Sequence, residues 1–220
     1  MKFLDKILKK NNTLNNVSNL FFKGQYKECI LKADNLLQKQ NCKNKIELLK
    51  LKGLSNYKIK RFENARLCFE EVANITNIKD DWFNLCTSAV RSGKLELAQK
   101  AFENFFSEKS IKGENTMLSQ PNVLYQYMLA LKDVGEYKKA HEQLIRLKRF
   151  YTSLKNHSQE YLGQRAIPFV FTTLVTGKEI LDNVYSENQI HKWLNDFKNG
   201  IDEYGKESVE EFREKYYKSN

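Results

Sequence analysis

The chain has 220 residues, 41% hydrophobic and 12% aromatic, which is enough apolar side chain for a continuous core and rules out disorder as its main state. Two prolines and 9 glycines, among long stretches of Lys, Glu, Leu, Asn and Gln, suit an all-α protein far better than a turn-rich sandwich or barrel. The 37 basic and 27 acidic residues give a net charge of +10, which attracts phosphates, anionic membrane surfaces or acidic protein partners without choosing among them.

The first ten residues set Phe3, Leu4, Ile7 and Leu8 on one helical face, with Lys2, Lys6, Lys9 and Lys10 elsewhere. Such a segment suits packing over the exposed end of the first repeat, and less well a short membrane-surface helix. It has no unbroken apolar stretch and no small-residue cleavage site, so a secretory signal is not expected. The longest uncharged apolar run, Ala166 to Gly177, is shorter than the ~20 residues a bilayer span needs. A soluble, cytoplasmic protein is the expectation.

From residue 10 onward a repeat is visible. Gly24-Gln25-Tyr26-Lys27-Glu28-Cys29, Lys60-Arg61-Phe62-Glu63-Asn64-Ala65, Gly93-Lys94-Leu95-Glu96-Leu97-Ala98 and Gly135-Glu136-Tyr137-Lys138-Lys139-Ala140 share a turn, a large residue two later and a small residue three after that. The small residues are spaced by 36, 33 and 42. Apolar residues follow at four and seven positions beyond each small one: Ala33 and Leu36, Phe69 and Val72, Phe102 and Phe105, Leu144 and Leu147. That spacing is one face of a helix. A second apolar helical pattern precedes each turn, so the unit is helix, tight turn, helix. Small residues such as Gly53, Cys86 and Ala98 stand where two helices cross closely. Gly24, Gly93 and Gly135 supply the positive φ that a helix end favours, which Lys60 tolerates less well.

In these four segments, over residues 10–149, the chain resembles the tetratricopeptide repeat family, whose helical hairpins recur about every 34 residues. Trp82 to Phe105 is the closest copy. The resemblance implies an α-solenoid of about four hairpins that receives an extended peptide or a partner helix on a concave face built mostly by the first helix of each hairpin. Lys50, Leu54, Lys58, Phe83, Thr87, Arg91 and Tyr125 stand in register there, and Tyr57 flanks them. This mixed aromatic and basic lining would grip apolar side chains while Lys50, Lys58 and Arg91 attract an acidic segment. The positions used by family members that clamp a C-terminal carboxylate are not recreated, so chaperone-tail binding is not expected.

Residues 107–119 between the third and fourth copies read as a loop. Residues 150–220 read as a helical cap, which a terminal unit needs to stay soluble, in one domain spanning 1–220. Within it, Ser158 to Val175 suits one buried helix or a break with Pro168 as its first residue, and the run 167–175 also suits a strand by propensity. Ser186-x-x-Gln189 and Ser208-x-x-Glu211 have the spacing of capping boxes. Residues 179–220 hold 10 acidic and 6 basic residues, so the positive charge belongs to the part before them.

No catalytic or phosphate-binding signature is present, and no enzyme activity, cofactor or metal is expected. His141, His157 and His191 read as exposed or partly exposed, and the four cysteines as reduced thiols, Cys29 and Cys86 in packing positions and Cys42 in an accessible turn. The sequence thus points to a non-enzymatic adaptor or scaffold holding a protein segment. Two alternatives stand beside it: an immunity-type inhibitor that covers a partner enzyme or toxin, and a nucleic-acid binder using the basic clusters of residues 43–61 and 146–155. An uncapped solenoid end would also admit a homodimer.

Overall fold

The computed structural model describes residues 14–39, 42, 44–112 and 118–218. The expected N-terminal helix of residues 1–10 lies outside them. The described residues are helical throughout apart from turns and connections, with one isolated bridge between Ile78 and Ile111. Helix α1 covers 14–22; α2 to α6 are Tyr26–Leu37, Lys45–Lys58, Phe62–Thr76, Lys79–Arg91 and Leu95–Phe106. Then come α7 Gln120–Asp133, α8 Tyr137–Thr152, α9 Gln159–Gln164, α10 Val170–Val184, α11 Glu187–Asn199 and α12 Glu203–Tyr216. None is long and apolar enough to cross a membrane, among the described residues.

The chain forms two compact units, residues 1–114 and 115–220. In the first, α2 to α6 pack each against the next in chain order. In the second, α7 pairs with α8 and both pack on α10, which α11 and α12 also contact. The expected repeat block of 10–149 is thus divided, its first three hairpins in one unit and its fourth in the other.

One turn is built four times. Residues 23–25, 59–61, 92–94 and 134–136 each join two helices, and the middle residue has positive φ: 75° at Gly24, 61° at Lys60, 78° at Gly93 and Gly135. Its N–H donates to the carbonyl three residues back at 2.9–3.0 Å, and the next N–H to the carbonyl five back at 2.8–2.9 Å. This paired bonding satisfies carbonyls that a helix end leaves open. The following N-cap residues Gln25, Arg61, Lys94 and Glu136 repeat one backbone conformation, φ −80° to −95° and ψ 57° to 67°. Lys60 carries the strain of a left-handed conformation that glycine would relieve, so Lys60→Gly should stabilise the first unit by about 1 kcal/mol. Thermal melting checks this; an unchanged or lowered midpoint would count against it.

The small positions do what the crossings require. Cys29, Ala65, Cys86, Ala98 and Ala140 are all fully buried, and a Cβ on Gly53 would meet the Phe69 ring at 2.8 Å. Phe69, Val72, Phe102, Phe105, Leu144 and Leu147 are buried as their spacing predicts, while Leu36 is half-buried. The loop expected at 107–119 is well organised over its described part. Asn77, itself left-handed at φ 52°, accepts from the Trp82 indole at 2.9 Å and donates to the Lys109 carbonyl at 2.9 Å. The Ile111 amide bonds back to the Asn77 carbonyl at 2.9 Å.

In the second unit, residues 158–178 form two helices, not one. The chain breaks after α9 at Ala166, φ 50°, and Pro168 stands before the α10 N-cap Phe169. No strand forms there, since no neighbouring strand offers pairing and α10 buries Val170, Leu174 and Ile180 instead. The Ser186 capping box forms with Gln189. Ser208 instead lies inside α12, where its hydroxyl donates to the Tyr204 carbonyl at 3.1 Å; Asp202 caps that helix by accepting from the Gly205 amide at 3.0 Å.

Candidate binding surfaces

The eight residues predicted to line a groove divide between the units. Lys50, Leu54, Tyr57 and Lys58 lie on α3 and Phe83, Thr87 and Arg91 on α5, both in the first unit, whereas Tyr125 lies on α7 in the second. Tyr57 and Arg91 touch. The Arg91 guanidinium donates to the Tyr57 hydroxyl and lies 5.3 Å from the centre of that ring and 6.0 Å from that of Phe62. The Tyr57 and Phe62 rings meet edge to face at 5.4 Å. A cation over an aromatic face gains electrostatic energy, so Arg91 ties the end of α5 to the turn between α3 and α4.

The other members are differently occupied. The Lys50 ammonium pairs at 2.8 Å with Asp81, which is 1% exposed and also accepts from the Thr76 hydroxyl at 2.7 Å. Its charge is committed to the interior. Thr87 is buried, and its hydroxyl bonds the Phe83 and Asn84 carbonyls of its own helix at 3.2 and 3.3 Å. Phe83 is half-buried edge to face with Phe105 at 6.3 Å. Leu54 is half-buried and Lys58 is exposed.

Tyr125 lines a shallow groove of about 270 Å³ in the second unit with Asn122, Gln126, Phe169 and Thr172, its hydroxyl 2.9 Å from that of Thr176. A larger groove of about 490 Å³ runs between α8 and α11, with Ile145, Lys148, Arg149, Tyr185, Trp193 and Asp196 in its wall. Lys148 lies 4.7 Å from the Trp193 ring centre and pairs with Asp196, holding that carboxyl below its ordinary range through its hydrogen bond and charge. The sequence singled out Lys148 and Arg149 only as a charge cluster. Their aromatic partner lies 45 residues away from Lys148 and no local signal links them.

Two histidines are buried where exposure was expected. His141 is 8% exposed, with its ring edge-on to Tyr185 at 4.8 Å; burial pushes its pKa down, against a smaller opposing pull from Glu142. His157 is 3% exposed, with Nδ1 2.9 Å from Asp202 and Nε2 2.9 Å from the Tyr151 carbonyl. His191 is half-buried. Cys29, Cys68 and Cys86 are free and buried, Cys42 partly so, and burial raises the Cys86 thiol well above its ordinary value. Among the described residues no group of three or more His, Cys, Asp or Glu stands close enough to hold a metal ion.

Compared with known proteins, the chain matches no family model, no curated protein and no solved structure.

Proposed function

We propose that this protein is a non-enzymatic adaptor of the tetratricopeptide type, an array of helical hairpins that holds a segment of a partner protein. The observation that carries the reading is the turn repeated four times with one backbone conformation and one bonding pattern. A hairpin held this tightly is a preformed surface, and a preformed receptor loses little conformational entropy on binding. Charge favours an acidic partner on the first unit, whose residues 1–114 carry 22 basic against 13 acidic groups, net +9, whereas residues 115–220 carry 15 against 14, net +1.

Affinity capture from a lysate of the source cell, with and without nuclease, tests the reading. The expected result is a discrete protein retained after nuclease, near 1:1 with the bait by mass spectrometry. Loss of all bound material to nuclease would overturn the adaptor in favour of a nucleic-acid binder. A captured enzyme or toxin whose activity is abolished in the complex would make the adaptor an inhibitor.

A further inference from the structure

Helices α2 and α3 pack on each other as antiparallel neighbours in chain order. The buried Cys29 thiol donates to the Val17 carbonyl of α1 at 3.5 Å. Asp34 pairs with Lys52 at 2.6 Å, and Val17, Cys29, Ala33 and Leu48 share one buried cluster. This packing carries the start of α2, with Lys27, toward the end of α3 that holds Tyr57 and Lys58. The turn from α1 to α2 and the turn from α3 to α4 therefore share one edge of the first unit.

That edge is unbalanced. Lys23, Lys27, Lys58, Lys60 and Arg61 occupy it, and none makes an ion pair within the described residues, although the same unit pairs Lys45, Lys50, Lys52 and Arg66 with carboxylates. Lys27 has Glu28 in its helical turn, and Arg61 has Glu63 in the turn that it caps, a carboxylate already paired with Arg66. Like charges so placed repel, and an anionic partner relieves the repulsion. Phe22 projects from the same edge 80% exposed, an apolar contact among the cations. We infer that this turn edge is a docking surface for an acidic segment of a partner protein that sets an apolar side chain against Phe22.

The inference rests on the adaptor reading and locates its contact, away from the helix faces where Lys50 and Thr87 are engaged internally. A protein segment fits better than a single-stranded nucleic acid. Base stacking needs open ring faces, yet Phe21 and Tyr26 meet edge to face at 5.6 Å, as Tyr57 and Phe62 do at 5.4 Å. Among the described residues Phe22 is the one ring of this edge that is mostly exposed, so a strand would find cations without a row of stacking platforms.

The test uses the full chain and two fluorescent probes read by anisotropy: a 16-residue peptide of about fifteen Glu around one central Phe, and an oligothymidine of about the same length. Three variants are compared with the native chain: the triple Lys23→Glu, Lys27→Glu, Lys58→Glu; Phe22→Ala; and a control triple at the exposed residues Lys138, Lys155 and Lys218, also to Glu, which changes net charge equally. All substituted side chains are exposed, and melting curves verify that each variant folds. The expected result is peptide affinity at least about tenfold weaker in the edge triple, about threefold weaker in Phe22→Ala and within about twofold of native in the control. Equal losses in both triples, no peptide binding, or tighter binding of the oligothymidine would each overturn the inference. A protein captured from lysate equally by native chain and edge triple would overturn it too, while leaving the adaptor reading in place.

Discussion

Lys50→Met should destabilise the first unit by about 3 kcal/mol, because it leaves the Asp81 carboxylate buried with no cation. Asp81 is 1% exposed, and beyond Lys50 it takes one hydrogen bond from Thr76. A neutral hydroxyl cannot replace a cation for a charge withdrawn from water. Part of the Lys50 side chain reaches solvent, 33% by area, which keeps the cost at the low end of that seen for buried pairs. Asp81→Asn alone should cost less, since it removes the charge together with its need for a partner. The double substitution should then be better than the sum of the singles, with a coupling of about 1–3 kcal/mol. Amide exchange in α3 and α5 reads the effect locally; additive losses would mean that the pair contributes nothing to holding the two helices together. The same measurement separates stability from binding, because a weakened complex in Lys50→Met would otherwise be mistaken for the loss of a groove contact.

The second large effect is expected at Asp202. Its carboxylate caps α12 through the Gly205 amide at 3.0 Å, accepts from the His157 amide at 3.0 Å and faces His157 Nδ1 at 2.9 Å. The other ring nitrogen of His157 faces the carbonyl of Tyr151, whose own hydroxyl donates to the Pro168 carbonyl at 2.6 Å and stands 2.8 Å from that of Thr173. One side chain thereby fastens the connection after α8 to the start of α12. Asp202→Ala should cost about 3 kcal/mol: about 1–2 for the cap and the rest for buried donors left without an acceptor. Burial pushes the Asp202 carboxyl up, but the hydrogen bonds from the Gly205 and His157 amides and the His157 ring outweigh it and hold the carboxyl below its ordinary value. A carboxyl lowered in the folded state contributes stability that is fully present above its unfolded value and is lost as pH falls through its folded value. The melting difference between the native chain and Asp202→Asn should therefore shrink between about pH 5 and pH 2. A difference that stays constant over that interval would show that the charge of Asp202 contributes nothing.

Sequence spacing revealed the hairpins because the repeat is made of local contacts. A glycine, a large residue and a small one within six positions determine a turn and the first helical turn after it, and Lys60 could be placed in the same role because its neighbours match. The loss of Ser208 as a cap was not legible, since Asp202 competes for the same helix and the spacing rule admits both. The side-chain partners were hidden for another reason. Asp81 comes to Lys50 from the next hairpin, Asp202 comes to His157 from 45 residues away, and helical periodicity carries no information about which hairpin supplies the opposite charge. Burial of His141 and His157 was missed on the same ground: charged sequence neighbours suggested exposure, while the packing partners Tyr185 and Asp202 arrive from later helices. Tyr125 looked equivalent to Lys50 and Phe83 by register, yet it belongs to the second compact unit.

The four equal turns restrict how such a chain can change length. Each turn spends every residue of its three-residue link on a fixed torsion or a backbone bond, so one inserted or deleted residue would rotate the second helix of the hairpin and misplace its entire buried face. The links between hairpins are unequal, since Asn77 and Ile78 form a two-residue link bonded as closely as the turns while those after α2 and α6 are longer, and the unequal spacings of 36, 33 and 42 residues arise outside the turns. Growth and loss in this architecture are therefore channelled into whole hairpins or the longer stretches that join them, and a reporter or an added sequence belongs in those longer stretches.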